Sequence, residues 1–209
     1  MTLDYATLNR ALLRHWPLLV LMLTCLVLAA AGEPARGLLR YDRVAIGQGA
    51  VWRLFTGNFV HLGVGHLLED MAGLWLLWLL FEDVLSGWRA LAVVSTGALA
   101  VGCGLYLGDP QVDWYVGISG ALDTLWAAGA LGLILLGDRF GWMLAGVLVV
   151  KLTYEQLFGA LPFSSVSSGG TVIVDAHLYG AFAGAALGFG RGLPWHRIMR
   201  RPRQAGGRA

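Results

Sequence analysis

Six long apolar stretches constrain the fold of this chain more than any other feature. Each is close to the length of about 20 residues that crosses a bilayer as a helix. They run from about residue 12 to 31, 62 to 81, 88 to 107, 119 to 136, 140 to 158 and 176 to 193. Hydrophobic residues make up 57% of the 209 residues and charged residues only 13%, which a soluble domain with a charged surface does not show. The sequence therefore predicts an all-α polytopic membrane protein with six transmembrane helices.

Arginines near the two ends of the chain set the predicted orientation. Arg10 and Arg14 lie at the N-terminal flank of the first apolar stretch, and the tail 194–209 is rich in arginine. The positive-inside rule then places the N-terminal segment 1–11 and the tail in the cytoplasm, which requires an even number of spans. The segment 32–61 becomes an outer loop, although it also carries arginines. We expect residues 1–209 to form a single membrane domain, and the denser tail decides its orientation.

A serine lies at the head of the fourth stretch, in Gly117-Ile118-Ser119-Gly120. Glycine beside a serine lets the backbone approach a substrate closely, and the free amides of a first helical turn can face a developing oxyanion. The same pattern is also typical of close helix packing in membranes. Taken alone, Ser119 is therefore only a candidate nucleophile.

A histidine lies at the head of the sixth stretch and is followed by regularly spaced glycines. Gly180, Gly184 and Gly188 share one helical face after His177 and form a groove that a neighbouring helix can enter. If that neighbour is the fourth span, His177 meets Ser119, since both spans begin outside in the predicted topology. A histidine in this position is a candidate general base.

The second and fifth stretches also carry ionisable residues. His66 and Asp70 are four residues apart near the start of the second span, so they share a helical face at the same outer level. His66 is a candidate donor to the oxyanion, a contribution on the order of 3 kcal/mol. In the fifth stretch, Lys151 either snorkels to the outer interface or pairs with Glu155, while a Ser-Lys mechanism remains an alternative.

Several motifs together resemble those of rhomboid intramembrane serine proteases. In order, they are Trp52-Arg53, Phe59-Val60-His61, His66-Leu67-Leu68, Gly117-Ile118-Ser119-Gly120 and Ala176-His177 with its glycines. The resemblance covers about residues 48–188. It implies a six-helix bundle with a cavity that opens outward, and a catalytic dyad of Ser119 and His177 without a third acid. It also implies an oxyanion site made by the Ser119 amide and His66, next to Gly117, and structural roles for Trp52 and Arg53.

The run 52–61 and the short chain are most similar to the rhombosortase branch of that family. This resemblance implies an enzyme of a bacterial inner membrane that acts in protein sorting. Its expected partners are the lipid bilayer and transmembrane substrates with a C-terminal Gly-Gly motif, an apolar span and a basic tail. No cofactor, metal ion or nucleic acid is expected.

Two aspartates depart from the family pattern. Rhomboids usually have asparagine where this chain has Asp70, so Asp70 is expected either to be protonated or to orient His66. Asp123 lies one helical turn after Ser119, and we hypothesise that it reaches Nδ1 of His177 and completes a triad. The alternative is that Asp123 simply faces a water-filled cavity.

Two functions other than proteolysis also fit parts of the sequence. A catalytically silent relative that binds membrane segments would tolerate Asp70 and Asp123, but it would not need Ser119 and His177. A small transporter could use intramembrane carboxylates as a proton relay, but no inverted repeat is apparent. Intramembrane serine proteolysis is therefore the main prediction.

Overall fold

A computed structural model describes residues 5–162, 164 and 170–189, and these residues are largely helical. The helices are α1 (Tyr5–Ala30), α2 (Gly32–Leu39), α3 (Arg43–Gly47), α4 (Arg53–Thr56), α5 (Val64–Phe81), α6 (Trp88–Gly108), α7 (Ser119–Leu135), α8 (Phe140–Phe158) and α9 (Val174–Phe189). Two short strands are β1 (Tyr41–Asp42) and β2 (Trp114–Tyr115). The predicted tail 194–209 lies outside the described residues, as do residues 190–193 of the sixth stretch and residues 1–4.

Each of the six apolar stretches overlaps one of the long helices α1, α5, α6, α7, α8 and α9. Among the described residues, α5 and α6 are long and apolar enough to cross a membrane. The pair formed by α1 from Arg14 onward and α2 also qualifies if it is counted as one span, although the two are bent by 112°. The chain is thus an integral membrane protein with at least two apolar spans, and the count of six transmembrane helices stays a prediction.

Helix α7 lies at the centre of the bundle. It packs against α5, α6, α8 and α9, and most of its residues are buried. The outer faces of the surrounding helices instead expose large apolar side chains, including Leu23 on α1, Leu79 on α5 and Val150 on α8. An apolar exterior is what a lipid-facing surface requires. Because α7 is enclosed, the residue at its start is held inside the protein.

The contact between α7 and α9 is made possible by glycine. A Cβ atom added at Gly180 would lie 1.8 Å from the carbonyl oxygen of Gly120, and the Thr124 hydroxyl donates to the Gly180 carbonyl at 2.8 Å. A Cβ atom added at Gly184 would lie 2.3 Å from the Thr124 carbonyl oxygen. The glycine groove predicted for the sixth stretch therefore contacts the fourth, and it does so at backbone distance.

The segment 32–61, which the sequence analysis treated as a loop, folds into helices α2, α3 and α4. Two of its arginines, Arg36 and Arg53, donate to backbone carbonyls within or next to the segment. Arg36 donates to the Leu62 carbonyl at 2.7 Å, and Arg53 donates to the carbonyls of Gly37 at 2.9 Å and Arg40 at 3.0 Å. The Trp52 indole donates to another carbonyl of α2 at 3.3 Å. These arginines hold the segment together, which is why their number is a poor guide to membrane orientation.

Strand β1 ties this segment to the chain just before Ser119. It pairs antiparallel with β2, with Tyr41 opposite Tyr115. The Asp42 carboxylate that follows caps α3 by accepting from the Ala45 amide at 3.0 Å, and this hydrogen bond lowers the pKa of Asp42. The segment 32–61 is therefore anchored at one end to the loop that leads into α7.

Arg43 caps the C-terminal end of α6. Its guanidinium donates to the carbonyls of Leu105 at 2.5 Å and Tyr106 at 3.0 Å, which belong to the last turn of the helix. It also donates to the carbonyls of Asp109 at 2.7 Å and Val112 at 3.1 Å just beyond it. A cation at a helix C-terminus satisfies free carbonyls and opposes the negative end of the helix dipole.

We expect Arg43→Ala to lower the free energy of unfolding by about 2 kcal/mol, because four partly buried carbonyls lose a charged donor and only those of Leu105 and Asp109 keep a backbone donor. Unfolding by sodium dodecyl sulfate in mixed micelles measures this change. The control is Arg139→Ala, since Arg139 is exposed before α8. An Arg43→Ala protein as stable as the Arg139→Ala protein would contradict the capping role.

Candidate active site

The backbone that leads into α7 is fixed so that Ser119 occupies its first turn. Gly117 has a φ of +113°, a conformation that residues with a side chain rarely adopt. A Cβ atom at this position would also lie 2.6 Å from Nε2 of His66. The Gly117 carbonyl accepts from the Tyr115 hydroxyl at 2.7 Å. Burial raises the pKa of Tyr115, so this hydroxyl stays protonated and able to donate.

Ser119 and His177 are brought together by the close approach of α7 and α9. The two helices begin side by side, with Gly120 directly against the backbone of Ala176. His177, in the first turn of α9, places Nε2 2.9 Å from Oγ of Ser119. The His177 side chain is buried. This is the hydrogen bond that a serine nucleophile and its general base require.

The other ring nitrogen of His177 contacts Glu155, not Asp123. Nδ1 lies 3.0 Å from Oε2 of Glu155, which is 2% exposed and lies near the C-terminal end of α8. The hypothesis that Asp123 makes this contact is therefore wrong. Asp123 lies one turn after Ser119 on α7, and this turn places its carboxylate beside a different partner.

That partner is Lys151. Its Nζ donates to Oδ2 of Asp123 at 2.7 Å and to Oε2 of Glu155 at 2.9 Å. The predicted pairing of Lys151 with Glu155 is thus confirmed, and both hydrogen bonds are made inside the protein. A base for Ser119 must contact the serine hydroxyl, whereas Nζ of Lys151 contacts these two carboxylates, so this geometry does not favour Lys151 in that role.

Asp70 holds the opposite wall of the site. Its Oδ2 accepts from the Ile118 amide at 3.0 Å and lies 3.0 Å from Nε2 of His61 and 3.4 Å from Nε2 of His66. Asp70 therefore contacts His66, as the prediction that Asp70 orients His66 required. It also fixes the loop before Ser119. His61, to which the sequence analysis gave no chemistry, is the second histidine on this carboxylate.

Two cavities meet at Ser119. One has a volume of about 420 Å³ and is lined by His66, the segment 111–116 and the segment 171–175. The other has a volume of about 200 Å³ and lies on the side of Lys151, Glu155 and the α5 helix. Ser119 lines both cavities. A polypeptide that passes from one cavity to the other would cross the serine hydroxyl.

Asp123, Glu155 and His177 are also spaced like metal ligands. One donor atom from each lies within 4.8 Å of the others. The Lys151 ammonium, however, donates to two of these three groups. The cluster of described residues therefore already contains its own cation, and its chemistry fits an internal ion pair better than a metal centre.

Sequence reasoning did not assign Glu155 to the serine and histidine, although one signal pointed there. Helices that alternate in direction place the C-terminal end of α8 at the same level as the starts of α7 and α9. Glu155 lies three residues before that end, at Phe158. A carboxylate in this position is at the depth of His177, whereas Asp123 lies one turn deeper.

Comparisons with known proteins agree with this geometry. The sequence model of the Rhomboid domain matches residues 48–193. The chain is similar to a protein of Bacillus subtilis (strain 168) named "Putative rhomboid protease YdcA", with 25% identity over 146 residues. The matched region covers 70% of this chain and 70% of that protein.

Proposed function

We propose, because the chain belongs to the rhomboid family, that it is an intramembrane serine endopeptidase. The observation that carries this proposal is the 2.9 Å contact between Ser119 Oγ and His177 Nε2 at the junction of two cavities. A relative that only bound membrane segments would not need a serine and a histidine in this arrangement. Ser119 is the nucleophile and His177 the general base.

The reaction follows from these two positions. His177 Nε2 takes the proton of Ser119 while Oγ attacks the carbonyl carbon of the scissile peptide bond. His177 then gives the proton to the leaving amine, which releases one product and leaves an acyl-enzyme. A water molecule attacks the acyl carbon with His177 again as base. The bond to Oγ then breaks, His177 returns the proton to Oγ of Ser119, and the second product leaves with a new carboxyl group.

The developing oxyanion is stabilised by groups at the start of α7. The Ser119 amide lies in the first turn of the helix, where backbone amides have no partner within the helix. His66 lies against Gly117 on the other side of this turn and lines both cavities. Asp70 is an acceptor for the Ile118 amide, so its role here is to position this loop.

The substrate is proposed to be a transmembrane protein that is cut at the outer edge of its span. The resemblance of the run 52–61 to rhombosortases supports a C-terminal Gly-Gly signal in a bacterial inner membrane. The arginines near both ends of the chain support a cytoplasmic location of both termini. A helical substrate must unwind before its carbonyl reaches Ser119. Glycine lowers the cost of unwinding because it stabilises a helix poorly.

Cleavage in proteoliposomes tests this function. The substrate is a single-span protein with a Gly-Gly motif at the outer edge of the span and a basic tail, and mass spectrometry identifies the two products. We expect cleavage near the motif. Replacing both glycines with leucine should slow cleavage roughly 30-fold, since two glycines differ from leucine by about 2 kcal/mol in helix stability.

The control enzyme is Ser119→Ala, which should produce neither fragment. Cleavage by this variant at the wild-type rate would contradict serine proteolysis. Equal cleavage of the Gly-Gly and Leu-Leu substrates by the wild-type enzyme would contradict only the proposed Gly-Gly preference.

A further inference from the structure

Both ring nitrogens of His177 are bound to functional groups of the protein. Nε2 lies 2.9 Å from the Ser119 hydroxyl, and Nδ1 lies 3.0 Å from a carboxylate oxygen of Glu155. The Glu155 side chain is 2% exposed and that of His177 is 7% exposed. A buried carboxylate in line with a histidine and a serine is the arrangement of a triad, whereas the family resemblance implied a dyad.

The carboxylate determines which tautomer of His177 is present. An ionised carboxylate only accepts hydrogen bonds, so Nδ1 must carry the proton that lies between His177 and Glu155. In a neutral imidazole this leaves a lone pair on Nε2. That lone pair faces Ser119, which is the form of histidine that can remove the hydroxyl proton.

Lys151 holds Glu155 in place. Its Nζ donates to Oε2, the same oxygen that faces His177, at 2.9 Å. Lys151 is itself held by Asp123 at 2.7 Å. Oε2 of Glu155 thus contacts both the Lys151 ammonium and the His177 imidazole, and these two contacts restrict the rotamers of the Glu155 side chain.

The charge of Glu155 also favours the transition state. An ionised Glu155 places a negative charge next to the ring of His177. When His177 accepts the serine proton, this charge lies beside the new imidazolium ion. An imidazolium ion in a buried site is stabilised by such an adjacent negative charge.

We propose that Glu155 is a positioning residue that completes a Ser119–His177–Glu155 triad, an inference that rests on the proposed serine protease function. Glu155 does not touch the substrate. It acts through His177, by selecting the tautomer and by stabilising the imidazolium, and the Lys151–Asp123 pair supports it from one turn deeper in the bundle.

The tautomer can be measured in the wild-type protein. Nitrogen-15 chemical shifts of labelled histidine distinguish a proton on Nδ1 from one on Nε2, and His177→Ala identifies the resonances of His177. We expect His177 to carry its proton on Nδ1, with a low-field proton signal typical of a bond to a carboxylate. A neutral His177 protonated on Nε2 would overturn the proposal without any substitution at Glu155.

Variants at Glu155 test the effect on reactivity, with a fluorophosphonate probe that labels activated serines. Glu155→Gln can donate its amide to Nδ1 and thereby select the wrong tautomer, so we expect labelling to slow by on the order of 10²-fold or more. Glu155→Asp retains a carboxylate, so it should label at about a tenth of the wild-type rate or faster. Glu82→Gln is the matched control, because Glu82 follows the C-terminal end of α5, whereas His66 lies near the N-terminal end of that helix. This variant should label at the wild-type rate.

The two proposals fail in different ways. Labelling of the Ser119→Ala protein at the wild-type rate would overturn the serine protease function. Labelling of wild type and of folded Glu155→Gln at equal rates would overturn only the role of Glu155. Circular dichroism and thermal unfolding establish that each variant is folded, and the tautomer measurement decides the matter if Glu155→Gln is not.

Discussion

Replacing His177 with alanine is expected to slow the acylation of Ser119 by a fluorophosphonate by a factor on the order of 10⁴ or more. Removing the base of a serine protease costs about as much as removing the serine itself, because the two act as a unit. In this chain the unit is a single hydrogen bond of 2.9 Å between Oγ of Ser119 and Nε2 of His177, in the adjacent first turns of α7 and α9. The measurement is the second-order rate of labelling in detergent, followed by mass spectrometry of the labelled peptide.

The reference for complete loss is Ser119→Ala, and the double variant should be no slower than either single variant. Ser95→Ala, which removes a hydroxyl from α6 instead, should not change the rate. A His177→Ala protein that is folded and still labels Ser119 within about tenfold of wild type would show that another group activates the serine. Lys151 would then have to be reconsidered as the base.

The sequence was sufficient to predict that Ser119 and His177 meet, because the signal is periodic and local. Gly180, Gly184 and Gly188 recur every four residues, and this spacing predicts a small-residue face next to another helix. Alternating helix directions then place the two starts at one level. The structure has the same contacts, with backbone atoms of α7 directly against this face.

The partner of His177 was harder to predict. Asp123 and Glu155 are both carboxylates one helical turn from another functional residue, and alternating helix directions place both of them near the level of His177. In the structure, α8 runs opposite to α7, so Glu155 near its end reaches the level of His177. Lys151, one turn earlier on α8, reaches the level of Asp123. The ion pairing follows from depth, which only the packed bundle determines.

The structure of the segment 32–61 could also not be predicted from local sequence patterns. Its helices are short, and they are held by hydrogen bonds to distant carbonyls, such as those from Arg43 to the end of α6. These interactions join residues about 60 positions apart in the chain. A composition-based analysis counts the same arginines as topology signals, although they serve here as backbone donors.

Asp70 stands where the rhomboid pattern usually has asparagine, and its carboxylate holds together the residues around Ser119. An asparagine can both donate and accept, whereas a carboxylate only accepts. In this chain the carboxylate has donors around it, since the Ile118 amide lies 3.0 Å away and His61 also lies 3.0 Å away. Asp70 thus holds the loop that presents Ser119.

Replacing Gly180 with alanine is expected to lower the free energy of unfolding by about 3 kcal/mol or more. The new methyl group would lie 1.8 Å from the Gly120 carbonyl oxygen, and backbone cannot move aside as the end of a flexible side chain can. Helices α7 and α9 must separate at this point, which also disturbs the Thr124 bond to the Gly180 carbonyl. Unfolding by sodium dodecyl sulfate in mixed micelles measures the loss.

The matched control is Gly146→Ala on α8, where an added Cβ meets no atom within 4 Å. That change should be neutral or slightly stabilising, because alanine favours a helix by about 1 kcal/mol over glycine. Since Gly180 lies one turn after His177, separation of the helices also lengthens the Ser119–His177 bond. Gly180→Ala should therefore slow fluorophosphonate labelling even under conditions in which the protein stays folded. Equal stability and equal labelling in the two variants would mean that α7 and α9 do not approach this closely.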